Sequence, residues 1–477
     1  MSRQSRRTFL KSSLAAGAAF TIAGTKASGK VRGANDVIRV GVCGLNGRGG
    51  SHVNELLRIK GVEITYLIDP DLRTHGSRVN EIQSAGGSTP RTVQDVRQAL
   101  DDPNLDAITV ATPNHWHSLI TIWACDAGKD VYVEKPCSHN VHEGRIAVEM
   151  ARAKRSIVQH GTQSRSDAGW AGAVEFIKSG KAGKLLVARG LCYKPRGSIN
   201  FQKPETPPSE LDFNLWLGPA PEQPFHKNLV HYNWHWFWDT GNGDIGNQGV
   251  HQMDIARWGI PGATLPKSVI SLGGRFGYDD QGQTANTQIA ICDYGETQLV
   301  FEVRGLKTEK FHGETVGNIF HCEGGLVFNG KFLPKGSDKP EPIAAAPRGP
   351  GAAGNHFDNF ITAVRSRNQA ELNADILEGH YSSAVGHLAN VSMRLGEETP
   401  FNPRTKAFGD NQEAYETLAR MEEHLAGTNG LALDGLKYRL GRKLVIDAAA
   451  EKVVGDDEAN QFMTREYRKP FVVPEKV

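Results

Sequence analysis

The chain is poor in cysteine: it has six in 477 residues, and none of them (Cys43, Cys125, Cys137, Cys192, Cys292, Cys322) falls in a C-x-x-C pair. That scatter argues against a zinc ribbon, a thioredoxin-type redox pair or a disulfide scaffold, and it reads the thiols as small buried hydrophobes. An excess of one charge is also missing. Lys and Arg number 55 against 53 Asp and Glu, which leaves a formal +2 and no electrostatic footprint for nucleic acid. Beyond the first 30 residues no stretch approaches the roughly 20 apolar residues of a membrane helix. Internal repeats are absent. The histidines at 226, 231, 235 and 251 fit no zinc-ligand spacing, so no metal is expected.

What is present is an ordinary globular composition, 39% hydrophobic and 23% charged, at a length that suggests two or three domains. The amino terminus reads Ser5-Arg6-Arg7-Thr8-Phe9-Leu10-Lys11, followed by a small, apolar run from Leu14 to Ala23 and Thr25-Lys26-Ala27. This pattern predicts a twin-arginine export signal over residues 1–30, and hence a periplasmic or otherwise exported protein. That route carries folded proteins, which suits an enzyme that takes up and holds a cofactor before export.

Residues 37–43 (VIRVGVC) read as a strand that runs into Gly44-Leu45-Asn46-Gly47-Arg48-Gly49-Gly50 and then a helix, the start of a dinucleotide-binding unit. The next strand, 62–68, ends at Asp69, an acid near the expected distance from the first glycine. Asp69 would accept from ribose hydroxyls and repel a 2'-phosphate, so NAD is expected, while Arg48 and Arg73 keep NADP open. Asn46 stands where the middle fingerprint glycine is usual. Strands and helices alternate through residue 158, which predicts a doubly wound parallel sheet over residues 36–160. Strand-like runs at 184–193, 267–272, 287–292, 297–303 and 318–322 lack intervening helices and predict an open, mostly antiparallel sheet within residues 161–396. Residues 340–354 read as a linker and 397–477 as a charged C-terminal extension.

The run Val131-Tyr132-Val133-Glu134-Lys135-Pro136 places a lysine at the carboxyl end of an apolar strand, on the edge where parallel sheets bind ligands. Such a lysine exchanges a proton with a substrate oxygen if its surroundings lower its pKa. Alone, the tripeptide reads more readily as a solvated strand end. The aromatic cluster 231–239 reads as core or interface more readily than as a sugar platform. Gln163, Lys194 and Arg196 end segments that would border the cleft, where substrate contact and solvated charge are equally good readings.

Together with Ala111-Thr112-Pro113-Asn114-His115-Trp116-His117 and Ala127 to Pro136, the glycine loop resembles the Gfo/Idh/MocA family of nicotinamide-dependent oxidoreductases over residues 36–396. The resemblance implies a Rossmann domain, an α/β domain whose open sheet often mediates a dimer or tetramer, and a sugar or cyclitol substrate. It also implies that Lys135 contacts the substrate hydroxyl and that Thr112, Pro113, Asn114, His117 and Glu134 line the nicotinamide side. Residues 241–254 look like the family's D-x-x-x-H element. His251 matches its acid–base histidine and Asp254 an orienting residue, but Asn247 replaces the acid. An amide takes no proton, so the proton role falls to Lys135 and His251, with Asp244 nearby in sequence. A redox-neutral, NAD-using glycoside hydrolase and a non-catalytic sugar-binding protein remain the competing readings.

Overall fold

The Val- and Ile-rich runs of the first half are nearly continuously apolar, as strands covered by helices on both faces must be. The computed structural model describes residues 37–347 and 355–477, so the export signal expected over residues 1–30 lies outside the described residues. The runs form β1 (Ile38–Cys43), β2 (Val62–Ile68), β3 (Arg91–Val93), β4 (Ala107–Val110), β5 (Asp130–Val133) and β6 (Val158–His160). They make one parallel sheet in the order β3-β2-β1-β4-β5-β6. The order reverses between β1 and β4, and the loops after both open at the same carboxyl edge. Helices α1 (Gly47–Leu57) and α2 (Asn114–Asp126) follow those loops.

The second sheet contains β7 (Leu185–Tyr193), β8 (Ser268–Gly274), β9 (Thr287–Asp293), β10 (Gln298–Arg304), β11 (Val316–Cys322), β12 (Gly325–Phe328), β13 (Lys331–Pro334) and β14 (Glu341–Pro342). Among the described residues only the β7–β10 pairing of this sheet is parallel. One face packs Ala188, Cys192, Phe301 and Phe320 against α3 (Gly249–Gly259) and α4 (Ile376–Arg394). The helix His356–Ser366 returns to the first sheet, where Phe357, Phe360 and Val364 pack with Ile38, Val40 and Val42. All six cysteines are buried and free.

Residues 397–477 are not the separate extension that their charge suggests. They form β15 (Glu397–Pro400), β16 (Lys437–Leu440), β17 (Leu444–Asp447) and β18 (Lys452–Val453), and β16 and β17 both pair with β8. Helix α5 (Gln412–Glu423) lays Leu418 and Met421 with Phe401, Leu425 and Tyr438 on Val187, Ile270, Ile289, Ile291 and Val300, the other face of the second sheet. That covers the sheet face expected to be open for self-association. A buried ion-pair cluster ties α5 to the sheet: Arg189 pairs with Glu302 and Glu413, and Arg420 with Glu302 at 2.9 Å. The tail then reaches the first domain, where Phe471 meets Trp116 and Trp123 edge-on or tilted. The apolar residues of this segment are spaced so that they share one buried side, while its many charges occupy the exposed side.

Candidate active site

The carboxyl edge of the parallel sheet opens on a cavity of about 380 Å³ walled by the loops after β1, β2, β3, β4 and β5, by His251 and by Leu215, Trp216, His231, Tyr232, Trp234 and His235. Gly44 has φ +80°, and a Cβ there would stand 2.6 Å from the Ala111 carbonyl oxygen; one on Gly49 would overlap the Gly44 oxygen. These two glycines let strand, turn and helix approach each other. Asn46 precedes α1 without capping it by its side chain, and Gly47, with φ +24°, has open space where a Cβ would stand. The uncapped first turn of α1 therefore offers backbone N–H groups to an anion.

At the end of β2, Asp69 accepts from the N–H of Leu45 at 2.8 Å and of Asp71 at 2.9 Å. Burial raises its pKa against those bonds. Asp71 is wholly buried and holds Arg73 through two side-chain hydrogen bonds, of 2.8 and 2.5 Å, and His231 at 2.8 Å. Burial alone would raise the Asp71 pKa; the donors from Arg73 and His231 outweigh it and bring it to about 2. Arg48 is occupied as well, its Nε 2.6 Å from Glu134 Oε1. Both arginines that kept NADP open are thus paired with carboxylates of the chain.

Glu134 also has His52 Nε2 and Gln163 Nε2 at 3.2 Å from Oε1. Burial opposes ionisation, but His52, Arg48 and Lys135 hold the carboxyl well below its usual range. Lys135 Nζ donates to the Asn247 backbone oxygen at 2.8 Å and to its Oδ1 at 3.2 Å. Burial drives the lysine pKa down to about 8; Glu134 opposes this, and Arg48 and Lys194 add to it. His251 lines the same cavity with its ring free of hydrogen bonds among the described residues. Burial, and then the charge of Lys135, lower its pKa to about 3, so the imidazole is neutral.

Thr112 and Pro113 of the loop after β4, and Asn114 and His117 of the first turn of α2, all line the cavity. His117 spans the loops after β4 and β5, with Nε2 2.7 Å from Thr112 O and Nδ1 2.6 Å from Pro136 O. Asn114 Nδ2 donates to Asn242 Oδ1 at 3.1 Å, and the Thr112 hydroxyl is buried without a partner.

The proposed substrate contacts divide. Gln163 lines the cavity; Lys194, Arg196 and Asp254 do not. Lys194 reaches Gln248 at 3.3 Å, and Arg196 grips Asp244 with two bonds, of 3.0 and 2.7 Å. Asp254, expected at the substrate, is instead wholly buried with Arg165 at 2.8 Å and the Ser382 hydroxyl at 2.7 Å, because its helix turns it away from the cleft. Sequence reasoning missed Leu215 and Trp216, whose apolar pairing within residues 195–224, a stretch rich in proline and polar groups, was the available signal. It also undervalued the aromatic cluster: Tyr232, Trp234 and His235 wall the cavity, whereas Trp236 and Phe237 do not, and Trp234 packs with both of them in one apolar core. Among the described residues no three His, Cys, Asp or Glu side chains converge to hold a metal.

Residues 38–162 match the model of an oxidoreductase family with an NAD-binding Rossmann fold, and residues 191–275 match that family's C-terminal α/β domain. An inositol 2-dehydrogenase of Leifsonia xyli subsp. xyli is 30% identical over 190 residues, 39% of this chain and 54% of that protein. A levoglucosan dehydrogenase of Pseudarthrobacter phenanthrenivorans is 26% identical over 256 residues, 50% of this chain and 59% of its own length. The chain thus spans about half the length of the curated relatives it matches. Among solved structures, the WlbA dehydrogenase of Bordetella pertussis in complex with NADH and UDP-GlcNAcA superposes with a TM-score of 0.54 at 17% identity, over 74% of this chain and 96% of that one. That likeness shows a shared fold.

Proposed function

We propose that the chain is an oxidoreductase of the Gfo/Idh/MocA type, a reading supported by the two family models it matches, and that it oxidises or reduces a secondary alcohol of a sugar or cyclitol with NAD. The observation that carries this reading is the Lys135 ammonium, held by Asn247 in the cavity that the glycine loop and Asp69 also line. The residues present fit the dinucleotide: the glycine turn leaves space at Gly47, the first turn of α1 is uncapped, and the Thr112 hydroxyl lacks a partner. Gly44, Asn46, Gly47, Arg48 and Gly49 would hold the phosphates and Asp69 the ribose, with Thr112, Pro113, Asn114 and His117 beside the nicotinamide. When bound, the nicotinamide supplies the hydride acceptor or donor.

The chain's own part is the proton. Neutral Lys135 takes the proton of the alcohol at Nζ, and the two Asn247 oxygens stabilise the ammonium that results. Neutral His251 orients the hydroxyl without taking its proton, because burial beside Lys135 disfavours imidazolium. Glu134 serves as the anchor of Arg48 and His52, which leaves it no proton to exchange.

The same reading includes a tightly held cofactor and export by the twin-arginine route. Support for the first comes from the 207–217 segment, which bonds across the cleft edge through Leu72 N to Glu210 O and Asp212 N to Pro70 O, while His231 bonds to Asp71. A homo-oligomer would form through a surface other than the sheet face under α5. Purification under native conditions, followed by mass spectrometry for bound NAD(H) and assay on a panel of inositols, sugars and aryl glycosides, tests the proposal. Cofactor-coupled oxidation of a polyol is expected. Absence of nucleotide binding would end the enzyme reading, and aglycone release without net NADH would replace it by the redox-neutral hydrolase.

A further inference from the structure

We propose that a second cavity, separated from the active site by Asn242 and Asn114, binds a small hydroxylated ligand carrying one carboxylate. It measures about 290 Å³, just under the usual size of small-molecule sites, and Trp238, Arg394, Phe462, Arg465, His139 and Asn242 border it. None of these residues lines the active-site cavity.

Arg394 ends α4, and its guanidinium lies 4.9 Å from the Trp238 ring centroid and 4.6 Å from that of Phe462. It makes no side-chain hydrogen bond and no ion pair among the described residues. Burial lowers its pKa against the attraction of Asp239, so its charge is incompletely compensated. Its outer part stays exposed, which leaves it within reach of a ligand.

Two more donors, on residues that border the cavity, lie buried without acceptors. Arg465 donates from Nη1 to His139 Nδ1 at 2.9 Å, so Nδ1 is the ring's acceptor and the single proton of neutral His139 is on Nε2. That Nε2 and the Nε of Arg465 are both buried without a partner. The terminal carbonyls of α4 would repel an anion, but Arg439 already donates to the oxygens of Arg394 and Gly396, at 3.4 and 3.1 Å. A carboxylate matches the planar fork of an arginine, and the Trp238 face suits the C–H surface of a polyol. The exposed carboxylates of Asp239 and Glu466 also border the cavity and select against polyanions.

The site would communicate with the active site. Asn242 donates to His139 O at 3.0 Å and accepts from Asn114 in the catalytic cavity at 3.1 Å.

Gluconate, with glucose and inorganic phosphate as controls, titrated into the full chain and followed by calorimetry and tryptophan fluorescence, provides the test. Saturable gluconate binding is expected, weakened by about tenfold or more in Arg394→Met and by less in Arg394→Lys. Unchanged NADH binding and circular dichroism in both variants would certify their fold. Absence of saturable binding, or gluconate binding undiminished in Arg394→Met, overturns the proposal. Phosphate or glucose binding as tightly as gluconate overturns the assignment to a hydroxylated carboxylate.

Discussion

Lys135 Nζ stands 2.8 Å from the backbone oxygen of Asn247 and 3.2 Å from its side-chain oxygen, so the buried ammonium leans on two neutral oxygens. A neutral partner stabilises the charge less than a carboxylate would, and with burial this leaves the lysine pKa at about 8.

The rate of alcohol oxidation is accordingly expected to rise as pH passes about 8, where Lys135 loses its proton and becomes a base. Asn247→Asp should move that inflection upward by about one unit or more. Lys135→Met should remove it and cut turnover by on the order of a hundredfold or more. The kcat/KM profiles of the three proteins check this; an Asn247→Asp profile that coincides with the parent would separate the inflection from Lys135.

Glu134→Gln should act in the opposite direction. The carboxylate raises the Lys135 pKa, so its removal lowers the inflection. It also leaves Arg48 and His52 facing a neutral amide, at a cost of about 1–3 kcal/mol. Thermal unfolding and the pH profile report the two effects separately.

Cofactor choice follows from the pairing of Arg73 with Asp71 and of Arg48 with Glu134. NADH should bind about tenfold or more tighter than NADPH, a difference of ~1.4 kcal/mol. Asp71→Ala frees Arg73 and should narrow the gap, as read by fluorescence titration of both nucleotides.

Helix α5 carries no residue of the active site, yet Leu418 is buried against the second sheet. Leu418→Ala should cost about 2–5 kcal/mol and lower Tm while the affinity for NADH stays unchanged.

Acid should loosen the same region. Burial would raise the Glu302 pKa, but Arg189, Arg420 and Arg304 bring it down from 4.5 to about 2. A carboxyl depressed in the folded state contributes stability above its unfolded pKa and loses it as pH falls through the folded value. The loss is therefore expected between about pH 4.5 and 2, and Glu302→Gln should flatten the dependence of Tm on pH across that window.

Much of the first domain was legible in the sequence. The apolar runs and glycine turn predicted β1, β2 and α1, and the end of β5 placed Lys135 on the ligand edge. The second sheet was legible as strands, whose ends differ by a residue or two. Three features were illegible for one reason, that their partners lie far away in the chain. Asp254 lies on a helix face that turns to Arg165, 89 positions away. Arg196 is gripped by Asp244 rather than left for substrate. Tyr232 and Trp234 look like Trp236 and Phe237 in sequence, and only packing brings the first two to the cavity and leaves the other two off it, with Trp234 sharing their core.

By itself the sequence determined the parallel sheet, its binding edge and the lysine upon it, because hydrophobic period and glycine placement are local properties that the backbone must obey. The tertiary structure alone decided that Lys135 rests on Asn247, that Arg48 and Arg73 are spent on carboxylates, and that residues 397–477 close the second sheet. Each is a contact between distant segments, whose energy depends on burial and charge pairing that arise only once the chain has folded.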